Sequence, residues 1–313
     1  CVSETAYVGS DTGGASMHVP GVVLGHEFAG TVVEVGEGVE DLATGARVAI
    51  APIEYCGSCW GCRHGHPNTC RSTALYGGYR EPLHGGLTRK VAVSRRSAFV
   101  VPEGLGLVES ALTEPVAVAV HAVRRGPSTL GASVLVLGAG PVGLAILAGV
   151  KAGGASMIAV SEPSTRRQAA AEAMGATTVI DPGESSVARA ARELTGGTGV
   201  DVVFDTTAVN DAFNAGLRAL RPRGTLVSVA GWQDQARVDM GFAMAKEADI
   251  RFTMTYEPEV DFPAAMHLLA TRAADPELLV SDDIALADVV ELGLEELLHH
   301  SDSHIKILVD PSR

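Results

Sequence analysis

The stretch Ser133-Val-Leu-Val-Leu-Gly-Ala-Gly-Pro-Val-Gly143 decides the fold. Val134 to Leu137 form an apolar run short enough for a strand buried on both faces. Gly138, Gly140 and Gly143 follow in G-x-G-x-x-G spacing, and Leu144-Ala-Ile-Leu-Ala148 continues as an apolar helix. The three glycines permit a tight turn, backbone approach to a pyrophosphate and close helix–strand packing. Pro141 suits the first helical turn, where its missing N–H costs nothing. The helix start, with Val142 and Gly143, offers free N–H groups and a positive dipole end to phosphates. About 20 residues further on, Glu162 closes the run Met157-Ile-Ala-Val-Ser161, at the offset where an acidic side chain meets the adenosine ribose of a dinucleotide. The alternative is a structural glycine turn in some other α/β domain, which the flanking strand and helix and this carboxylate make the poorer reading. More than a hundred residues precede the turn, so the nucleotide domain is expected to be an insertion inside another domain.

At 313 residues, the length favours two domains, each able to bury a core. A hydrophobic content of 46% excludes a disordered chain. The net charge of −13 argues against a nucleic-acid backbone or an anionic membrane as partner. No apolar run reaches transmembrane length and no signal peptide is visible, so a cytoplasmic enzyme is expected. The chain opens on a cysteine without an initiator Met, from which a preceding segment is expected.

Four of the five cysteines, Cys56, Cys59, Cys62 and Cys70, fall in C-x2-C-x2-C-x7-C spacing. Thiolates this close, separated by Gly57, Ser58 and Gly61, suit a closed tetrahedral four-sulfur zinc site of structural role. Disulfides fit poorly in a large enzyme of reducing surroundings. An iron–sulfur cluster is the other all-cysteine possibility. The fifth cysteine, Cys1, stands upstream of Gly25-His26-Glu27-Phe28-Ala29-Gly30, which leads into Thr31-Val-Val-Glu-Val-Gly36, an alternating stretch that predicts a strand. Glu114, in Leu112-Thr-Glu-Pro115, precedes the helical Val116-Ala-Val-Ala-Val-His-Ala-Val123. Spacing alone leaves Cys1, His26 and Glu114 suggestive and no more.

Taken together, GHEFAG, the four-cysteine lobe, TEP before VAVAVHAV, and VLGAGPVG occur in an order that resembles the zinc-dependent medium-chain alcohol dehydrogenases over essentially the whole chain. Within that family the chain looks most like the butanediol, sorbitol and threonine dehydrogenase branch; its tail, Val290 to Leu298 followed by His304-Ile-Lys-Ile-Leu-Val309, is similar to the butanediol members. The resemblance implies an α/β protein in which a GroES-like β-rich catalytic domain carries an inserted Rossmann domain, a doubly wound parallel sheet. It implies a catalytic zinc on Cys1, His26 and Glu114, with Glu27 as an alternative or exchanging ligand. With four cysteines committed elsewhere, a carboxylate must stand where other alcohol dehydrogenases use a second thiolate. It further implies Ser3 as the hydroxyl that starts a proton relay, and Arg167 along the adenosine ribose. Cofactor contacts are expected at Gly138, Gly140, Pro141, Val142, Gly143, Glu162 and Arg167. Val2, Glu4 and Ala6 depart from the family's usual Gly, Asp and His, and the last change removes the residue that finishes the relay in many members.

The expected activity is hydride transfer between a small-molecule secondary alcohol (a diol, polyol or relative) and NAD, with two zinc ions per chain. Relatives of this kind form dimers or tetramers. Two rivals are a zinc- and nucleotide-binding protein without turnover, and a zinc-free quinone or enoyl reductase of the same fold. The expected domains are 1–115, 116–255 for the nucleotide domain, and 256–313 returning to the first. Strands are expected at 133–137, 156–161, 177–181, 201–205, 224–229 and 249–254, besides 47–50 and 99–101. Helices are expected at 140–152, 163–174, 184–195, 209–220, 262–270 and 287–298.

Overall fold

A computed structural model describes residues 21–78, 83–233 and 235–313. Cys1, Ser3 and the three departures at Val2, Glu4 and Ala6 lie outside the described residues. The chain forms two compact units: residues up to 117 with 257–271 and 280–313, and residues 118–256 with 272–279.

In the first unit β1 (Phe28–Thr31), β2 (Arg47–Ile50) and β5 (Ala98–Val100) make an antiparallel sheet in the order β1-β2-β5. Between them β3 (Ile53–Glu54) and β4 (Ala74–Leu75) form a short antiparallel pair. Val48, Ile50 and Ala98 bury one sheet face, with Phe28, Val32, Leu42 and Val93 packed around them. The Phe99 ring meets that of Phe262 at 5.0 Å between centroids, which fastens β5 to the helix Pro258–Ala270.

In the second unit, β6 (Ser133–Leu137), β7 (Met157–Ser161), β8 (Thr178–Ile180), β9 (Val200–Asp205), β10 (Leu220–Ser228) and β11 (Asp249–Phe252) form one sheet, ordered β11-β10-β9-β6-β7-β8. Every pairing in it is parallel. Val134, Leu135 and Val136 have no exposed surface, as the uninterrupted apolar run requires of a strand covered on both faces. The chain moves outward from β6 through β7 to β8, then returns to β9 on the other side of β6. The strand order therefore reverses between β6 and β9, the topology that opens a ligand crevice at the carboxyl ends of those strands. Back in the first unit, β12 (Asp282–Ala285) pairs in parallel with β13 (Ile307–Asp310).

Two segments differ from the sequence expectation. The strand expected over 31–36 stops at Thr31. Val32 still exchanges backbone bonds with Gly45 and Ala46, but the partner chain then turns away at Ala43. Residues 33–36 are left without a ladder, and Val33 is 63% exposed. The helix expected over 287–298 is a 3₁₀ turn at Leu286–Asp288, a π-helix over Val289–Glu295 and an α-turn at Glu296–His299. Gly293 lies inside the wide turns against Ile284 of β12, where a poor helix former offers little to hold the tighter α spacing.

Candidate functional site

The glycine turn is tight and closely packed against its helix. Gly138 has φ +92°, a conformation open to glycine, and its N–H donates to the Ser161 carbonyl at 2.8 Å. A Cβ on Gly143 would stand 2.1 Å from the Gly138 carbonyl oxygen, so only glycine lets the helix Pro141–Ala152 start this close to the turn. A Cβ on Gly140 would meet nothing within 4 Å. That open space beside the first N–H groups of a helix fits a pyrophosphate.

Glu162 follows β7 and is 3% exposed. One of its oxygens accepts from the Ala139 N–H at 2.7 Å, the other from the Ser164 N–H at 2.9 Å. The carboxylate thus fastens the glycine turn to the chain leaving β7, while each oxygen retains a further lone pair. Ser164 caps the helix Thr165–Met174 by accepting from the Arg167 N–H, which sets Arg167 in that helix's first turn.

His26, Glu27 and Glu114 come together in the first unit, one donor atom from each lying within 4.8 Å of the others. His26 and Glu27 enter on the approach to β1, and Glu114 stands in the first turn of the helix Thr113–Arg125, where a negative side chain suits the dipole. His26 is 9% exposed and Glu114 7%. Lys306, also 7% exposed, forms an ion pair with Glu27. Two carboxylates ~4 Å apart repel by about 4 kcal/mol at an effective dielectric of about 20. The two carboxylates and the imidazole beside them make a nitrogen–oxygen donor set of the kind suited to zinc. Sequence reasoning missed Lys306. Its signal was a charged residue within the apolar run His304-Ile-Lys-Ile-Leu-Val309, where burial demands a partner.

The four cysteines also converge. Their sulfurs lie within 4.8 Å of one another, with separations of 3.5 Å for Cys59–Cys62, 3.5 Å for Cys56–Cys70 and 4.0 Å for Cys56–Cys62. A tetrahedron with zinc–sulfur bonds of ~2.3 Å has edges of about 3.8 Å. Cys59 opens the short helix Trp60–Arg63, which carries Cys62 on its only turn. The Ser58 N–H and hydroxyl and the Cys59 N–H lower the Cys56 thiol to about 6, whereas desolvation pushes Cys62 up to about 12. Four thiolates together therefore require a cation, which the geometry fits. His66, between Cys62 and Cys70, bonds Glu257 at 2.8 Å and anchors the lobe beside the helix Pro258–Ala270.

Comparison with known proteins points the same way. Residues 1–103 match the alcohol dehydrogenase GroES-like domain, and residues 141–271 match the zinc-binding dehydrogenase family. A relative from Neisseria gonorrhoeae, an (R,R)-butanediol dehydrogenase, is 33% identical over 294 residues, covering 93% of this chain and 81% of its own. The crystal structure of 2R,3R-butanediol dehydrogenase from Bacillus subtilis superposes with a TM-score of 0.84 at 34% identity, over 94% of this chain and 82% of that one. A structure from Sinorhizobium meliloti 1021, described as a zinc-binding dehydrogenase and bound to NADP, gives a TM-score of 0.87 at 28% identity, over 99% and 89% of the two chains.

Cys59→Ser is expected to lower the thermal midpoint by on the order of 10 °C, since loss of a structural metal ranks with the costliest single changes. It should also release one metal equivalent. Differential scanning calorimetry with metal analysis checks this, and an unchanged midpoint would rule out a structural metal at the lobe.

Proposed function

The chain belongs to the zinc-dependent medium-chain alcohol dehydrogenase family, and from that premise we propose that it transfers a hydride between a secondary alcohol and NAD. The observation that carries this reading is the meeting of His26, Glu27 and Glu114, whose donor atoms lie within 4.8 Å of one another. In the proposed arrangement Cys1, His26 and Glu114 hold one zinc, and the four cysteines hold a second. When bound, zinc supplies a Lewis acid that favours ionisation of the alcohol, and the nicotinamide supplies the hydride acceptor. The chain's own residues do the rest. His26 and Glu114 hold their donor atoms in a buried cluster, in which charges interact more strongly than in water. Lys306 restrains Glu27 by the ion pair, leaving it within reach as an exchanging ligand. Ser3 is the proposed first carrier of the alcohol proton. The zinc-free reductase reading is not favoured, since the relatives are zinc-type dehydrogenases.

The substrate class is a vicinal diol, a polyol or a related secondary alcohol. Initial rates followed by nicotinamide absorbance should show turnover with members of that class. In the same assay Glu114→Ala is expected to lower kcat at least ~10²-fold, and Ser3→Ala by ~10²–10⁴-fold, with little change in cofactor affinity. Absence of turnover across diols, polyols, threonine and simple secondary alcohols would favour a binding protein instead.

NAD over NADP is proposed because Glu162 stands at the end of β7 with spare acceptor capacity toward a ribose. The 2′-phosphate of NADP would bring nearly two negative charges there, at a cost of about 2 kcal/mol even with water-like screening. Arg166 and Arg167 oppose this, and the relative bound to NADP is a case of this fold holding the phosphorylated cofactor. The expected ratio of kcat/KM is at least about tenfold in favour of NAD. Equal values would mean that the arginines prevail.

A homo-oligomer is proposed as the working form. β11 is one of the two edge strands of the six-stranded sheet, and Phe252 and Met254 beside it are 65% and 56% exposed, with Met240 and Met244 at 59% and 73%. Open edges with exposed apolar residues favour pairing with another chain. Light scattering should give a dimer or tetramer mass; a monomer at micromolar concentration contradicts this.

A further inference from the structure

One fully buried carboxyl group has no part in the readings above. Asp205 closes β9 with 0% exposure. Its Oδ1 accepts from the N–H of Thr207 at 3.1 Å and from the Thr207 hydroxyl at 2.7 Å. Its Oδ2 accepts from the hydroxyl of Ser228, the last residue of β10, at 3.4 Å, and that hydroxyl accepts from the Trp232 indole N–H at 3.2 Å. The Asp205 main-chain carbonyl accepts from the N–H groups of Val229 and Ala230. A single residue therefore ties the loop after β9 to the loop after β10.

Among the described residues no cation pairs with Asp205. At the other end of the same strand, Asp201 bonds the Arg221 guanidinium at 2.6 Å and is held below the usual carboxylate range, whereas burial pushes Asp205 up. Burying a carboxyl group is costly, and an apolar side chain of similar size would serve packing better. The hydrogen bonds that Asp205 directs to both loops are what an apolar side chain could not supply.

The topology says what those loops face. A dinucleotide lies across the carboxyl ends of the strands where their order reverses, with its pyrophosphate at the turn after the first strand and its adenosine ribose at the acidic residue after the second. Here these are the glycine turn after β6 and Glu162 after β7. β9 and β10 lie on the opposite side of β6, so the other half of the cofactor falls over the loops that Asp205 fastens. Thr206 joins the same loop to the glycine turn, its hydroxyl donating to the Leu137 carbonyl at 2.8 Å.

We propose that Asp205 is a positioning residue for the nicotinamide half of the cofactor, tying residues 206–208 and 229–231 into one platform at the carboxyl edge of the sheet. This rests on the NAD reading above. The test is calorimetric titration of the zinc-loaded chain with NADH and with ADP-ribose, which lacks the nicotinamide. Asp205→Ala is expected to weaken NADH binding at least about tenfold and ADP-ribose binding less than about twofold, the loss expected when buried hydrogen bonds are cut. Asp205→Asn keeps a carbonyl oxygen for Thr207 and an N–H for Ser228, and should hold NADH affinity within about threefold of the parent. Equal losses for both ligands would reduce Asp205 to a structural role, and unchanged NADH binding would overturn the proposal outright. If Asp205→Ala does not fold, Ser228→Ala decides, with NADH alone expected to weaken at least about threefold. If the parent chain binds neither ligand, the cofactor reading itself falls, and this inference falls with it.

Discussion

Burial of like charge is the constraint on which the first unit depends. Glu27 and Glu114 lie close together beside His26, with Lys306 in an ion pair with Glu27. Bringing two carboxylates together away from water is costly in itself. The zinc proposed here would offset that cost, and the scaffold fixes the donors. His26 and Glu27 lead directly into β1, which the antiparallel ladder to β2 fixes. Glu114 is set by the first turn of a helix whose dipole favours it. Lys306 arrives on the chain entering β13, which pairs with β12.

The second unit sets the first N–H groups of a helix beside open space, the setting that the proposed dinucleotide site requires. Gly143 packs against the Gly138 carbonyl closely enough that any side chain would force the helix away. Glu162 holds the turn from one side through the Ala139 N–H, and Thr206 holds it from the other through the Leu137 carbonyl. Preorganised loops of this kind bind with less ordering cost than loose ones.

Much of this was legible in the residues. The six strands of the parallel sheet were readable because each is a short apolar run between a helix and a turn. The four-cysteine lobe was readable because ligand spacing within one loop is local. What escaped was non-local. The valines of 32–36 alternate as a strand should, yet nothing in the sequence says that the partner segment turns away at Ala43. Residues 287–298 have helical periodicity, which does not distinguish α from π winding. Lys306 lies far from Glu27 in sequence, so only the folded chain reveals their pairing. Glu162 was readable as an acidic group at the ribose offset, but its bonds to two backbone N–H groups depend on how the turn is folded. Cys1 and Ser3 rest on the family resemblance.

The His26, Glu27 and Glu114 group is proposed to hold a metal distinct from the one proposed at the four cysteines. Native mass spectrometry of the complete chain and of a His26→Ala variant addresses it most directly. Two zinc ions are expected on the parent chain and one on the variant, with the variant folded. A folded, fully loaded parent chain carrying a single zinc, or a variant that still carries two, would contradict it.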